Sequence, residues 1–274
     1  MPHSIFICPI CSAPLFAENG ALKCENHHSF DIAASGYVNL LNPGKKNNFK
    51  AGDSKEMTKA RTLFLDSGHY SKIRNALCDM VSEKKCQFIV DAGCGEGYYT
   101  ESVAKKFRNS AVVGADMSKS GIEHASKSAK RTEIQNVFYT VASIFSLPIA
   151  SSCADCIINM FAPVAADEFR RVLKTGGRMI IGVSGREHLD GLKRILYSDV
   201  YDNEEEAKQY DGFRLLYRKN VKYSEEIHGN SIIQSLFTMT PYYYRTSLSD
   251  KEKLRSIDEI STQVEVNFYV YEKI

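Results

Sequence analysis

Three glycines at alternate positions, Gly93, Gly95 and Gly97, follow an apolar run that stops at an acid, Phe88-Ile-Val-Asp91, and precede a helical pattern opening at Tyr98. A turn stripped of Cβ atoms lets the backbone take positive φ and lie against a ligand at a strand's carboxyl end, as nucleotide-like ligands require. A dinucleotide-binding turn would carry Gly or Ala at position 98; Tyr98 stands there, which argues against a pyrophosphate. A second apolar run, Ala111-Val-Val-Gly-Ala-Asp116, ends in a carboxylate about 20 residues past the glycines, where ribose hydroxyls would lie. Taken as structure alone, the glycines make a tight strand-to-helix turn and Asp116 a helix cap before Ser118, which leaves unexplained why the acid ends a buried strand.

A second constellation lies near the N-terminus, in Cys8-Pro-Ile-Cys11 and Cys24-Glu-Asn-His27-His28. Two thiolates three apart grip one ion from a single turn, and a second pair about a dozen residues on closes a tetrahedron, so the spacing predicts a structural Zn2+ site. Four protein ligands leave no open coordination position for catalysis. So short a segment has no core of its own, and metal binding supplies the missing folding free energy. Spacing leaves His27 and His28 level as fourth ligand. The H-x-E partner of a zinc deaminase is absent. Cys153 and Cys156 flank a buried strand and read as small core residues; Cys78, Cys86 and Cys94 receive no role.

These residues sit in 274 residues of ordinary globular composition with a formal charge of +2, which does not advertise a polyanion partner, so any nucleic-acid surface must come from local clustering. No apolar run approaches membrane-spanning length and no charged-then-apolar leader opens the chain, so a cytoplasmic protein with no membrane partner is expected. In that compartment eight cysteines argue for metal ligation or burial over disulfides.

The elements that must position these groups read as alternating strands and helices. Helices are expected over 55–65, 70–83, 98–107, 119–130 and 167–173, the last capped by Gly176-Gly177. Strands are expected at 88–91, 111–116, 136–141, 155–161 and 178–183, and this alternation predicts an α/β fold with a mostly parallel, doubly wound sheet. Residues 212–223 and 263–272 suit an antiparallel pair closing it. The division is a zinc-binding knuckle over 1–41, a linker over 42–59 and the large domain over 60–274. Around the linker Lys45, Lys46, Lys50, Lys55, Lys59 and Arg61 outnumber Asp53 and Glu56; a solvated linker and a phosphate-contacting arm explain that equally well. Ser143 at a strand end and the aromatic stretch Phe237–Arg245 are each balanced between structure and ligand contact.

The D-x-G-x-G-x-G spacing from Asp91 resembles motif I of the Rossmann-like class I methyltransferases, whose loop wraps the methionine end of S-adenosylmethionine. The resemblance becomes specific in Cys8-Pro-x-Cys11, Cys24-x-x-x-His28-x-Phe30-Asp31, Gly36-Tyr-Val-Asn-Leu-Leu41, Gly52-Asp-Ser-x-Glu-Met57, Ala60-Arg61, Phe64-Leu-Asp-x-Gly-His-Tyr70 and Asp91 to Thr100. In that order these blocks resemble the 23S ribosomal RNA guanine-N1 methyltransferases. The resemblance implies a bacterial, cytoplasmic homodimer with a zinc module that methylates a guanine in a hairpin loop of domain II of the large-subunit RNA. It implies His28 as fourth zinc ligand beside Cys8, Cys11 and Cys24. It also implies cofactor contacts from Tyr70, Glu96 and His188, joining Gly93, Gly95, Gly97 and Asp116.

No catalytic residue is assigned: a base must take the N1 proton or donors must stabilise charge on O6, and Asp155, Asp167 and Glu168 near the fourth strand offer no ground for choice. Asn159 to Pro163 stands where many base-modifying methyltransferases hold the target base, in a different form. The competing readings are a small-molecule methyltransferase of the same fold, which leaves the knuckle without a purpose, and a non-catalytic zinc-ribbon RNA-binding protein, disfavoured by the intact glycines and Asp116.

Overall fold

The computed structural model describes residues 5–42, 44, 53–197 and 208–274. The N-terminal segment forms β1 (Phe16–Glu18), β2 (Ala21–Lys23), β3 (Ser29–Asp31) and β4 (Val38–Asn39). Two helices follow, α1 (Lys55–Asp66) and α2 (Ser71–Ser82). The alternating core is β5 (Phe88–Ala92), α3 (Tyr98–Lys106), β6 (Ala111–Asp116), α4 (Lys119–Arg131), β7 (Val137–Val141), β8 (Ala154–Met160), α5 (Ala166–Val172) and β9 (Leu173–Ser184). The C-terminal part comprises α6 (Asp190–Leu196), β10 (Phe213–His228), α7 (Asn230–Thr238), α8 (Tyr242–Arg245), α9 (Leu248–Glu252) and β11 (Glu259–Lys273).

One eight-stranded sheet has the order β10-β11-β9-β8-β5-β6-β7-β4. From β9 through β4 every neighbouring pair is parallel, while β11 and β10 add an antiparallel ribbon on the other side. The expected doubly wound sheet and closing pair are both present, and the ribbon is longer at each strand than its sequence pattern. Because β5 has β6 on one side and β8 on the other, the chain reverses its direction of travel at β5, and the crevice at such a reversal is where α/β sheets bind ligands. Residue alternation feeds two cores: Ile89, Val112, Ile158 and Ile180 face one layer, and Val90, Val113, Ile157 and Ile181 the other. Helices cover both faces, which is why these strands read as unbroken apolar runs.

The N-terminal segment is built into this sheet. Val38 of β4 pairs with Thr140 of β7, Ile7 N–H donates to Pro148 O at 3.0 Å, and Cys8, Leu22 and Cys24 share the core of Ile149 and Phe169. The knuckle's expected end at 41 therefore falls just after an edge strand of the large sheet. The expected linker end at 59 falls inside α1, which starts at Lys55 behind the Ser54 cap, whose Oγ accepts from Met57 N–H at 3.2 Å. Lys45, Lys46 and Lys50 lie outside the described residues.

The glycine cap expected for α5 is corrected. Leu173 is extended and pairs with Ala154, so the strand begins directly where the helix stops. Gly176, with φ +75°, and Gly177 instead absorb the register shift between Ala154 and Cys156, as a bulge does. Among the described residues no helix is long and apolar enough to cross a membrane.

Phe169 on α5 is fully buried where knuckle and sheet share their core. Phe169→Ala should cost about 3–5 kcal/mol, read as a lower midpoint in chemical denaturation.

Candidate active site and metal centre

From Ala92 the chain turns through Gly93, Gly95 and Gly97, all at positive φ, into α3. At two of these positions space as well as φ demands glycine: a Cβ on Gly93 would lie 2.6 Å from Ala162 Cβ, and one on Gly97 2.8 Å from Ala125 Cβ. At Gly95 a Cβ would meet nothing nearer than Arg61 Cδ at 4.0 Å. The middle of the loop is thus bare backbone facing open space.

Asp116 ends β6 as expected and holds this loop. Its Oδ2 accepts from Gly95 N–H at 3.0 Å and its Oδ1 from Ser118 N–H at 2.7 Å. The cap of α4 is Ser118, whose Oγ accepts from Gly121 N–H, so Asp116 is not the capping residue. Burial raises the Asp116 pKa, opposed by those two backbone donors. Each carboxylate oxygen has a lone pair to spare, enough for the vicinal hydroxyls of a ribose. Beneath the loop Asp91 accepts from Thr100 Oγ1 at 2.6 Å through Oδ2, while Oδ1 has no hydrogen-bond partner. Burial pushes its pKa up to about 7.

Arg61 joins this loop to a neighbouring cavity. Its Nη2 lies 2.7 Å from Asp53 Oδ2 and its Nε 3.5 Å from Glu96 Oε2. Burial works against the guanidinium charge, but Glu96, Asp53 and Asp116 outweigh it and raise its pKa. Burial likewise lifts Glu96 to about 7, only partly offset by Arg61. In the sequence Arg61 and Asp53 read as linker charges within the resemblance blocks, with no site role, because the link of Arg61 to Glu96 joins separate elements.

The cavity, of about 370 Å3, is bounded by Arg61, Tyr70, Phe161, His188 and the turn from Met239 to Tyr242. His188, which would pass for a surface residue at a helix start, is buried. Glu265 N–H donates to its Nδ1 at 3.2 Å, so the neutral ring carries its proton on Nε2 and donates it to the Tyr70 hydroxyl oxygen at 3.0 Å. The Tyr70 proton is then left to act as a donor elsewhere. Burial, reinforced by Lys193, lowers the His188 pKa to about 3, and burial raises that of Tyr70. Tyr70 and His188 therefore meet in the cavity, Asp116 and Gly95 meet at the loop, and Glu96 with Arg61 connects the two.

The other candidates sit elsewhere. Asp155 accepts from Gln87 and Phe88 N–H and from Lys174 at the amino end of β8, away from the crevice. Asp167 is exposed and pairs with Arg170, and Glu168 binds Leu147 N–H and Arg171. Ser143 Oγ accepts from Phe145 N–H, which is turn chemistry. Asn159 is fully buried and donates to Ala92 O at 2.7 Å and Pro163 O at 3.2 Å, bracing the loop after β8.

At the knuckle, Cys8, Cys11, Cys24 and His28 bring their ligand atoms within 4.8 Å of one another. His28 Nδ1 lies 3.5 Å from Cys8 Sγ and 3.4 Å from Cys24 Sγ, and the Cys11 and Cys24 sulfurs are 3.7 Å apart. These are the edges of a tetrahedron about an ion with bonds of about 2.0–2.3 Å, and three sulfurs with one imidazole suit Zn2+. His28, not His27, belongs to the group; His27 takes φ +62° in the turn that delivers it.

Residues 6–48 match the family model described as RlmA, N-terminal, a zinc ribbon, and residues 83–239 match a methyltransferase domain. The chain is 27% identical over 288 residues to a putative 23S rRNA (guanine-N(1)-)-methyltransferase, YxjB, of Bacillus subtilis, covering 97% of this chain and 96% of that one. It is 34% identical over 187 residues to the 23S rRNA (guanine(748)-N(1))-methyltransferase of Streptomyces fradiae, a match spanning 66% of this chain and slightly under two thirds, 64%, of the relative. It is 33% identical over 210 residues to a putative 23S rRNA (guanine-N(1)-)-methyltransferase of Micromonospora griseorubida, covering 69% and 68%. The chain belongs to the 23S rRNA (guanine-N1)-methyltransferase family. The methyltransferase domain implies S-adenosylmethionine, and the bare Gly95 backbone beside the Asp116 carboxylate fits an adenosyl group; the knuckle fits the family's zinc.

Two outcomes follow from this geometry. His28→Ala should lose the metal while His27→Ala retains one equivalent, measured by colorimetric zinc release. Because the folded pKa of Asp91 is raised, the native state holds a proton that the unfolded chain releases between pH 3.8 and about 7. Stability from this group is present at low pH and lost as pH rises, so the wild type should lose ground to Asp91→Asn across that window in denaturation measured at each pH.

Proposed function

We propose that this chain transfers the methyl group of S-adenosylmethionine to N1 of a guanine in a hairpin loop of domain II of 23S rRNA, as a cytoplasmic homodimer. The observation that carries the reading is a zinc-ligand cluster sharing one core and one sheet with a glycine-loop methyltransferase domain. A small-molecule enzyme would have no use for that attachment, whereas an RNA-directed one gains a second grip on its substrate. The end-to-end similarity to a relative named as a putative rRNA guanine-N1 methyltransferase supports the same reading.

On this account Gly93, Gly95 and Gly97 cradle the cofactor, Asp116 takes its ribose hydroxyls, and Glu96, Tyr70 and His188 bound its methionine end. Bound there, the cofactor supplies an electrophilic methyl carbon on a sulfonium. Transfer of that methyl to N1 would require the proton on N1 of the neutral guanine to be lost, or the charge developing on O6 to be stabilised. His188 is not the base: its Nδ1 is occupied and its pKa is far below neutral. Asp53, the one carboxylate lining the cavity among the described residues, is paired with Arg61. The protein's contribution is therefore alignment of acceptor and methyl with water excluded. A base in a hairpin loop reaches such a pocket at less cost than one stacked in a duplex.

Incubation with labelled S-adenosylmethionine and undermodified 23S rRNA should give one methyl per RNA and one primer-extension stop at a domain II loop guanine. Absence of any stop with active protein contradicts the reading. Asp116→Ala should weaken cofactor binding about tenfold or more in calorimetry, the equivalent of about 1.4 kcal/mol or greater.

A further inference from the structure

We infer that Phe161 is the platform on which the acceptor guanine stacks, an inference that rests on the function proposed above. Phe161 follows β8 directly and takes φ +54°, a backbone region that favours glycine and is costly for a bulky side chain. The surroundings enforce it: Phe161 N–H donates to Gly182 O at 2.8 Å, and Asn159 ties Pro163 to the end of β5. Glycine would sit there without strain, yet the residue is a phenylalanine.

The ring does not repay that strain by burial. It is 37% exposed, whereas Phe64, Phe169 and Phe237, packed on the same sheet's helices, are 2% exposed or less. Instead it borders the cavity, near-parallel to the His188 imidazole at 29° and 5.9 Å and 6.4 Å from the Tyr70 ring. A strained backbone that presents an aromatic ring at a cavity mouth fits a ligand with a flat π face.

Strand order assigns that ligand to the acceptor. On the proposed reading the ribose-binding carboxylate, Asp116, ends β6 on one side of β5, while Phe161 directly follows β8 on the other. A cofactor lying from β6 across the loop of β5 leaves the β8 side to the base that receives the methyl. Pro241 and Tyr242 border the same cavity and form its facing rim.

The test uses full-length Phe161→Gly, Phe161→Ala and Phe161→Trp with undermodified 23S rRNA. The Gly variant relieves the backbone, so a folding loss there is not expected, and thermal denaturation checks it. Base-on-aromatic stacking predicts a loss of about 10- to 100-fold in kcat/KM for RNA in the Gly and Ala variants. S-adenosylmethionine affinity by calorimetry should stay unchanged, and the Trp variant should keep most activity. Full RNA activity in Phe161→Gly, or a parallel loss of cofactor affinity, overturns the inference while leaving the function standing. A wild-type enzyme inactive on the RNA overturns the function, and the inference with it.

Discussion

The hydrogen bond from Gly95 N–H to the Asp116 carboxylate, 3.0 Å long, fixes the end of β5 to the end of β6 where the order of the parallel strands reverses. A loop with glycine at every other position would otherwise be the most mobile part of the strand-to-helix turn, since glycine loses the most freedom on ordering. Asp116 offsets that by binding the loop's own N–H while it keeps acceptor capacity for a ligand. The site is thereby shaped before anything binds, and the steric limits at Gly93 and Gly97 hold its two ends in place.

Charge then spreads the site outward. Asp91, Glu96, Asp116 and Asp53 gather around the loop, and burial raises the pKa of the first three. Arg61 is the cation that makes this cluster tolerable, and it belongs to α1, the helix that follows the knuckle. The N-terminal segment is coupled to the sheet through β4 and the core that Cys8 and Cys24 share with it, while Arg61 of α1 ties Asp53 to Glu96 of the glycine loop. A metal that orders the knuckle therefore also supports the edge of the catalytic domain.

Much of this was legible in the sequence, for local reasons. The glycine spacing, the acid ending β6, the Cys-x-x-Cys pair and the apolar runs of the parallel strands are all patterns of near neighbours. What spacing alone does not show depends on contacts between distant positions, and His188 enters the sequence reading only through the family resemblance. His188 is buried by Glu265 and Tyr70, 77 and 118 residues away, and Arg61 is defined by Glu96. Spacing could not separate His27 from His28; the left-handed turn at His27 does. Gly176-Gly177 misled because a helix cap and a bulge use the same residue type, and the pairing of Leu173 with Ala154 decided between them. Within the Asn159–Pro163 stretch, the sequence does not tell which residue meets a ligand: Asn159 is buried, and the exposed Phe161 is the one that borders the cavity.

The most direct measurement is a crystal structure of the protein grown with S-adenosylhomocysteine. The account predicts density draped over the backbone of residues 93–97, with both ribose hydroxyls on the Asp116 carboxylate and the amino-acid end beside Arg61 and Tyr70. A ligand bound away from that loop, or a loop that remains empty at saturating concentration, would contradict it.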